Sequence, residues 1–378
     1  MSYLEKLNSI IGDLIAPQAA QNDQQAKFPR ESIKALGEAG ILGLMSTKEL
    51  GGLGLGLSEA SEVIEKVATS CPSTAMILTM HYSATAVIEK FGTESVRKEI
   101  AQGRHLTTLA WSEAGSRSHF WAPTGTATKD KTGNTISITS QKTMVTSAFE
   151  ADSYVWTSKP VAVAGASSMW LVEKTNPAVT PKVQTDKKFD GLGLRANASA
   201  PMECINMKVS EAAMLGADGA AFDTMIGVVL PIFCTLSAAS SIGIMEASLN
   251  ATIKHVTEAK YEHLGQSLAE LPTIRAYLAK AQTKKDMIKT LRKDTTEALQ
   301  SGRADAMLRV MEVKAAAAEA ALETTDICMR VAAGASYRKD LGIERFFRDA
   351  RASHIMAPTS DVLFDFIGKA ICGMPVFG

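Results

Sequence analysis

Apolar residues in the N-terminal part of the chain recur at the spacing of helices that bury one face: Leu4, Leu7, Ile10, Ile11 and Leu14, then Ile33, Leu36, Ile41 and Leu42, then Val63, Ile64 and Val67. Pro17, Pro29, Pro72, Gly40 and the Gly51–Gly56 cluster punctuate these runs, and Ser58 with Glu62 marks a start for the third helix. Residues 1–104 therefore predict an all-α domain. Over 105–215 the period shortens to alternating or β-branched runs at 135–139, 153–157, 169–172 and 205–209, with turns at Gly133-Asn134, Gly165 and Asn176-Pro177. Strands with no helix between them predict an antiparallel β-barrel or sandwich. Over 216–378 helical periodicity returns in long segments, roughly 218–261, 267–300, 304–333 and 359–372, with Pro231 kinking the first, which predicts a four-helix bundle. The expected fold is thus α+β and multidomain.

Composition narrows the function. The 378 residues carry 40 Lys and Arg against 40 Asp and Glu, with no cationic block, so no nucleic acid and no anionic membrane surface is expected as a partner. Glu5, Lys6 and Asp13 fall where a signal peptide would be apolar, and Gly, Pro or charge is expected to cut the apolar stretches short of the roughly 20 residues that span a bilayer. A cytoplasmic protein is expected. Five scattered cysteines and 6 histidines form no metal-ligand spacing, so no metal is expected. The glycine string at Gly51–Gly56 follows a helical run, not a strand, and predicts a loop instead of a dinucleotide fingerprint.

Five strings across nearly the whole chain give a more specific indication. They are Phe28-Pro29 through Leu44 with Glu49-Leu50-Gly51-Gly52-Leu53-Gly54; Trp111-Ser112-Glu113-Ala114-Gly115-Ser116-Arg117-Ser118; Gln141-Lys142-Thr143-Met144-Val145-Thr146; Glu344-Arg345-Phe346-Phe347-Arg348-Asp349-Ala350-Arg351; and Thr359-Ser360. With the domain order, they resemble the acyl-CoA dehydrogenase superfamily of flavoproteins. The resemblance implies FAD, with FMN as the alternative. It implies cofactor contacts from Trp111, Ser112 and Ser118, from Met144, Val145 and Thr146 (Met144 standing where the family has a ring-stacking Trp), and from Thr359 and Asp361 at the start of the last helix. It also implies an adenine-side contact from Gly334 and, because cofactor contacts cross subunits in relatives, a homotetramer or homodimer. The family's cross-subunit Arg position is occupied by Tyr261, with His263 nearby as a substitute donor.

The chain departs from the family at the base. Forming a 2,3-double bond in an acyl thioester needs a group to take the α-proton, and the family's Glu before G-T-S is Ala357 here. The alternative family location, Leu230 to Thr235, holds no acid. Asp361, His354 and His81 are the replacement candidates, with His119 a further histidine, and Leu230, Phe233, Cys234 and Met356 are expected to line the substrate pocket. Two activities are compatible with this: a flavin monooxygenase using O2 and a separate flavin reductase, resembling the dibenzothiophene monooxygenase branch, or an acyl-CoA dehydrogenase with a relocated base and an electron-transfer flavoprotein as partner. A flavin-free assembly protein is the third reading.

Overall fold

The computed structural model describes residues 2–130, 134–181 and 190–377, and the three periodicities become three structural regions. Gly133 of the expected turn lies outside the described residues. The N-terminal region holds α1 (Tyr3–Ile10), α2 (Ala16–Gln25), α3 (Arg30–Glu38), α4 (Leu57–Ala68), α5 (Pro72–Phe91) and α6 (Glu94–Ala101). Pro17 does not stop a helix: a π turn, Ile11–Ile15, joins α1 to α2 and places the proline in the first turn of α2. A wider turn tolerates a residue that lacks an N–H and whose ring crowds the preceding carbonyls. The start of α4 also differs from expectation. Gly56 is its N-cap, and its N–H donates to Glu59 Oε2 at 3.0 Å, so Ser58 is already inside the helix. Helix α5 is buried on nearly every side, packing against α4, the β region and the long apolar helix of the C-terminal region, which explains its lack of a clear sequence period.

The middle region is a sandwich of two sheets. Strands β1 (Thr107–Ala110), β4 (Ser153–Ser158) and β5 (Ser168–Glu173) form one, in the order β1-β4-β5. Strands β2 (Thr126–Lys129), β3 (Thr135–Val145), β6 (Val179–Pro181) and β7 (Ala200–Ser210) form the other, in the order β2-β3-β7-β6. No barrel closes, and one pair, β1 with β4, is parallel where antiparallel pairing was expected. The long connection from β1 to β4, which carries β2 and β3, allows this. The sheets are tied together by a buried indole: Trp156 Nε1 on β4 donates to Ser140 Oγ on β3 at 2.8 Å.

The C-terminal region comprises α7 (Ala221–Thr224), α8 (Leu230–Glu258), a hairpin of β8 (Lys260–Tyr261) and β9 (Gln266–Ser267), α9 (Pro272–Ser301), α10 (Ala306–Ala332), α11 (Ile343–Ile355) and α12 (Ser360–Ile371). Helix α10 packs on α8, α9, α11 and α12, so the bundle closes around it. Pro231 is accommodated as Pro17 is, behind a π turn at Met225–Val229. The α11 stretch was not among the expected helical segments. The interval Met225–Met245 carries no charge, so the expectation that every apolar stretch is too short to span a bilayer does not hold for the 38-residue helix Ala221–Glu258. Its apolar window is 83% buried inside the protein, as befits a core helix. Close crossing requires Gly243, where a Cβ would stand 2.4 Å from Glu65 O on α4.

Candidate active site

A cavity of about 680 Å³ opens where the β sandwich, α5, the start of α8 and the α11–α12 connection meet. One wall is the loop after β1. Glu113 in that loop is buried, and so is its partner Lys142 on β3, with Lys142 Nζ donating to Glu113 Oε1 at 2.7 Å. The other carboxylate oxygen accepts from Thr124 N at 2.6 Å, Thr124 Oγ1 at 2.5 Å and Gly125 N at 2.9 Å. Burial pushes the Glu113 carboxyl upward, but the Lys142 ammonium and these hydrogen bonds outweigh it and hold the group below the usual range. Lys142 also donates to Thr157 O and Thr157 Oγ1, each at 2.8 Å, which uses all three of its protons. The pair locks the loop onto β3, where Thr143 N donates to Ser112 O at 2.9 Å.

The second wall comes from Met144 and Thr146 at the end of β3 and from the segment 191–199. Thr146 Oγ1 lies 3.3 Å from Ser199 Oγ. Gly193 presses on α11 so closely that a Cβ would stand 2.4 Å from Arg348 O, and Leu194 N donates to buried Asp349 Oδ1 at 2.6 Å. Burial raises the Asp349 carboxyl to about 6, moderated by that hydrogen bond.

The third wall, Ile355 to Thr359, is held from behind by Lys314 of α10. This lysine is 1% exposed, has no carboxylate partner among the described residues, and donates to Ser353 O, Met356 O and Pro358 O at 3.2, 3.1 and 2.8 Å. Burial pulls its pKa down to about 8. The lysine therefore fixes the backbone on both sides of Ala357.

The cavity brings together Trp111, Ser112, Ser118, Met144, Thr146 and Thr359 of the expected cofactor residues, and Leu230, Phe233 and Met356 of the expected pocket. The remaining expected residues lie elsewhere. Val145 points into the core because side chains alternate along β3, while its backbone pairs with Ala200. Cys234 is fully buried behind the wall, its thiol pushed up to about 12 by burial. Gly334 is exposed in the turn Ala333–Tyr337, away from the cavity.

None of the three candidate bases reaches the cavity. Asp361 lines a separate cleft with Trp121 and Phe366, because the first turn of α12 faces it away from Ala357. His354 sits outside the lining, 3.1 Å from Glu319 Oε1. His119, likewise, stacks on Trp121 in the separate cleft. His81 is in the interior of α5, with Nδ1 accepting from Thr107 N at 3.2 Å and Nε2 against Leu42 O at 3.0 Å. Since Nδ1 accepts, Nε2 carries the proton, and the ring is a neutral tie between the helical region and β1.

Burial lowers the His81 pKa from 6.5 to about 4, so its contribution to stability is complete above the unfolded value and lost as pH falls through that interval. Between pH 7 and pH 4.5 the fold should lose about 2–3 kcal/mol from this group. A His81→Gln variant should lack that part of the slope in urea melts; an unchanged slope would refute the assignment.

Glu113 is the only carboxylate in the described lining, and it is fully engaged. Sequence alone assigned no role to Glu113, Lys142 or Lys314. A Glu and a Lys inside matching strings were the available signal for the first two; Lys314, in an Ala-rich helix, had none.

Two family profiles match the chain: "Acyl-CoA dehydrogenase, N-terminal domain" over residues 3–103 and "Acyl-CoA dehydrogenase, C-terminal domain" over residues 234–372. The chain belongs to the acyl-CoA dehydrogenase family. The family's members are flavin-dependent oxidoreductases. The short-chain specific acyl-CoA dehydrogenase of Bos taurus is 28% identical over 92% of this chain and 83% of its own length. The cyclohex-1-ene-1-carbonyl-CoA dehydrogenase of Geobacter metallireducens is 24% identical over 97% of this chain and 96% of its own. In fold, the butyryl-CoA dehydrogenase structure from Megasphaera elsdenii superposes with a TM-score of 0.90 at 21% identity, covering 98% of this chain and 97% of that one.

The residues present fit the family's flavin. Trp111 is 6% exposed and lines the cavity, and its indole N–H has no partner among the described residues; the same holds for buried Ser360 Oγ in the first turn of α12. Orphaned buried donors of this kind are expected where a polar ligand completes the structure.

Proposed function

We propose that the protein is an FAD-dependent oxidoreductase of acyl thioesters, acting at C2–C3 of an acyl-CoA-type substrate and exchanging electrons with a separate electron-transfer protein. One feature supports it above others: a single cavity joins the polar wall of Ser112, Thr143 and Thr146 to the apolar wall of Met80, Leu230, Phe233 and Met356. FAD, when bound, supplies the hydride acceptor. Ser112 and Thr146 would hold the ring's polar edge, Met144 would cover it, and Thr359 would face its diphosphate. The apolar side chains exclude water from the acyl chain.

Among the described lining residues no carboxylate is free to take the α-proton, so slow turnover is expected. A homodimer or homotetramer belongs to this proposal, because Gly334, exposed away from the cavity, would reach a flavin only across a subunit boundary.

Anaerobic titration of the flavin-loaded protein with saturated acyl-CoAs of increasing chain length tests it. Slow bleaching is expected; no bleaching by any acyl thioester, with dithionite bleaching intact, defeats it. Ala357 favours a second reading, an oxygen-using flavoenzyme supplied by a reductase. Isotopic oxygen from O2 appearing in product, and only with the reduced protein, would select that one.

A further inference from the structure

Two of the four arginines lining the cavity are already tied down: Arg195 to Asp190, and Arg348 to Asp23 and Glu344. Arg351 lies over the Phe347 ring, 4.2 Å from its centroid, whereas Arg117 is exposed. Its side chain has no such ring contact, no ion pair and no hydrogen bond among the described residues. We propose that Arg117 is this chain's own cation for the diphosphate of the bound dinucleotide, an inference that rests on the flavin assignment above.

The placement is built. Arg117 N donates to Glu113 O at 3.0 Å, so the turn carrying it hangs from the residue locked by Lys142. The next residue, Ser118, donates through Oγ to Thr359 Oγ1 at 3.3 Å, which sets the turn against the N-cap of α12. That helix makes its first backbone bond from Leu363 N to Thr359 O, leaving the N–H groups of its first turn without intrahelical acceptors. Ser360 Oγ in that first turn is fully buried and has no partner among the described residues. A guanidinium, two hydroxyls and helix N–H groups together make a donor-rich set that suits an anion with several oxygens.

Arg117 also holds a left-handed backbone, φ 47°, a conformation that favours glycine. The backbone is therefore strained at a cation that has no partner among the described residues, and strain of this sort persists where a site requires it.

A diphosphate occurs in FAD and also in a CoA thioester, and the experiment separates them. Flavin-stripped wild type, Arg117→Gly and Arg117→Lys are compared for FAD and riboflavin affinity by flavin fluorescence at two salt concentrations, and the flavin-loaded proteins for acyl-CoA affinity. Arg117→Gly should weaken FAD about 10- to 100-fold, leave riboflavin unchanged and flatten the salt dependence, while Arg117→Lys keeps part of the affinity. The same Gly variant should melt about 2 °C higher as apo-protein, because the strain is relieved. Equal losses for FAD and riboflavin, an unchanged FAD affinity, or a loss confined to acyl-CoA would each overturn the assignment. Wild type that binds neither flavin would sink the flavin reading itself and this inference with it.

Discussion

Replacing Ala357 with Glu is expected to accelerate anaerobic flavin reduction by a saturated acyl-CoA by about 10²- to 10⁴-fold, the range a positioned general base contributes. Ala357 lines the cavity between Met356 and Pro358, and Lys314 binds the carbonyls of both those neighbours, so the backbone that must carry the new carboxylate is already fixed. The cavity it lines also carries the apolar side chains of Phe233 and Leu230, and desolvation there would raise the carboxyl pKa toward the operating range of a base. The rate of the variant should therefore rise with pH through that raised pKa, whereas wild type should show no such step. Exchange of the α-hydrogen in heavy water gives a second readout that does not depend on the electron partner. If wild type already matched the variant in both, a base would have to exist that the described lining does not contain.

Lys142→Met is expected to lower stability by about 3–5 kcal/mol, because it leaves the Glu113 carboxylate buried without its counter-charge. Flavin retention should fall along with stability, since the same pair holds the loop of Ser112 and Ser118 against β3. Thermal melts of the single variants and of the double variant Lys142→Met/Glu113→Gln decide the cause. Most of the loss should be regained in the double variant, which removes both charges together. A double variant as unstable as the sum of the two singles would assign the loss to packing around Trp156, whose ring lies 5.4 Å from the Lys142 ammonium.

The absence of a carboxylate at position 357 was legible in one line of sequence, yet its consequence was not. Asp361 lies four residues beyond Ala357, a spacing that places two residues on one face only if a single helix contains both. Here α11 ends at Ile355 and α12 begins at Ser360, so the two positions face different clefts. His81 stood among the candidate replacement bases. In the fold, two backbone groups from distant segments claim both ring nitrogens, and neither partner is visible in local sequence. Val145 was assigned by its string, but strand alternation turns it inward while Met144 and Thr146 reach the cavity.

Local physics alone carries the sequence a long way. Periodicity of 3.6, then 2, then 3.6 again determines three regions and their order, and matched strings identify the loop after β1, the end of β3 and the start of α12 as neighbours of one site. Only the tertiary structure decides which of these side chains face the cavity, which charges are neutralised and which are left free. Glu113 and Arg117 lie four residues apart in one turn, one sealed by a lysine from β3 and the other without any partner among the described residues. Charge state and accessibility depend on what the rest of the chain brings within a few ångströms, and that is a property of long-range packing that no local pattern encodes.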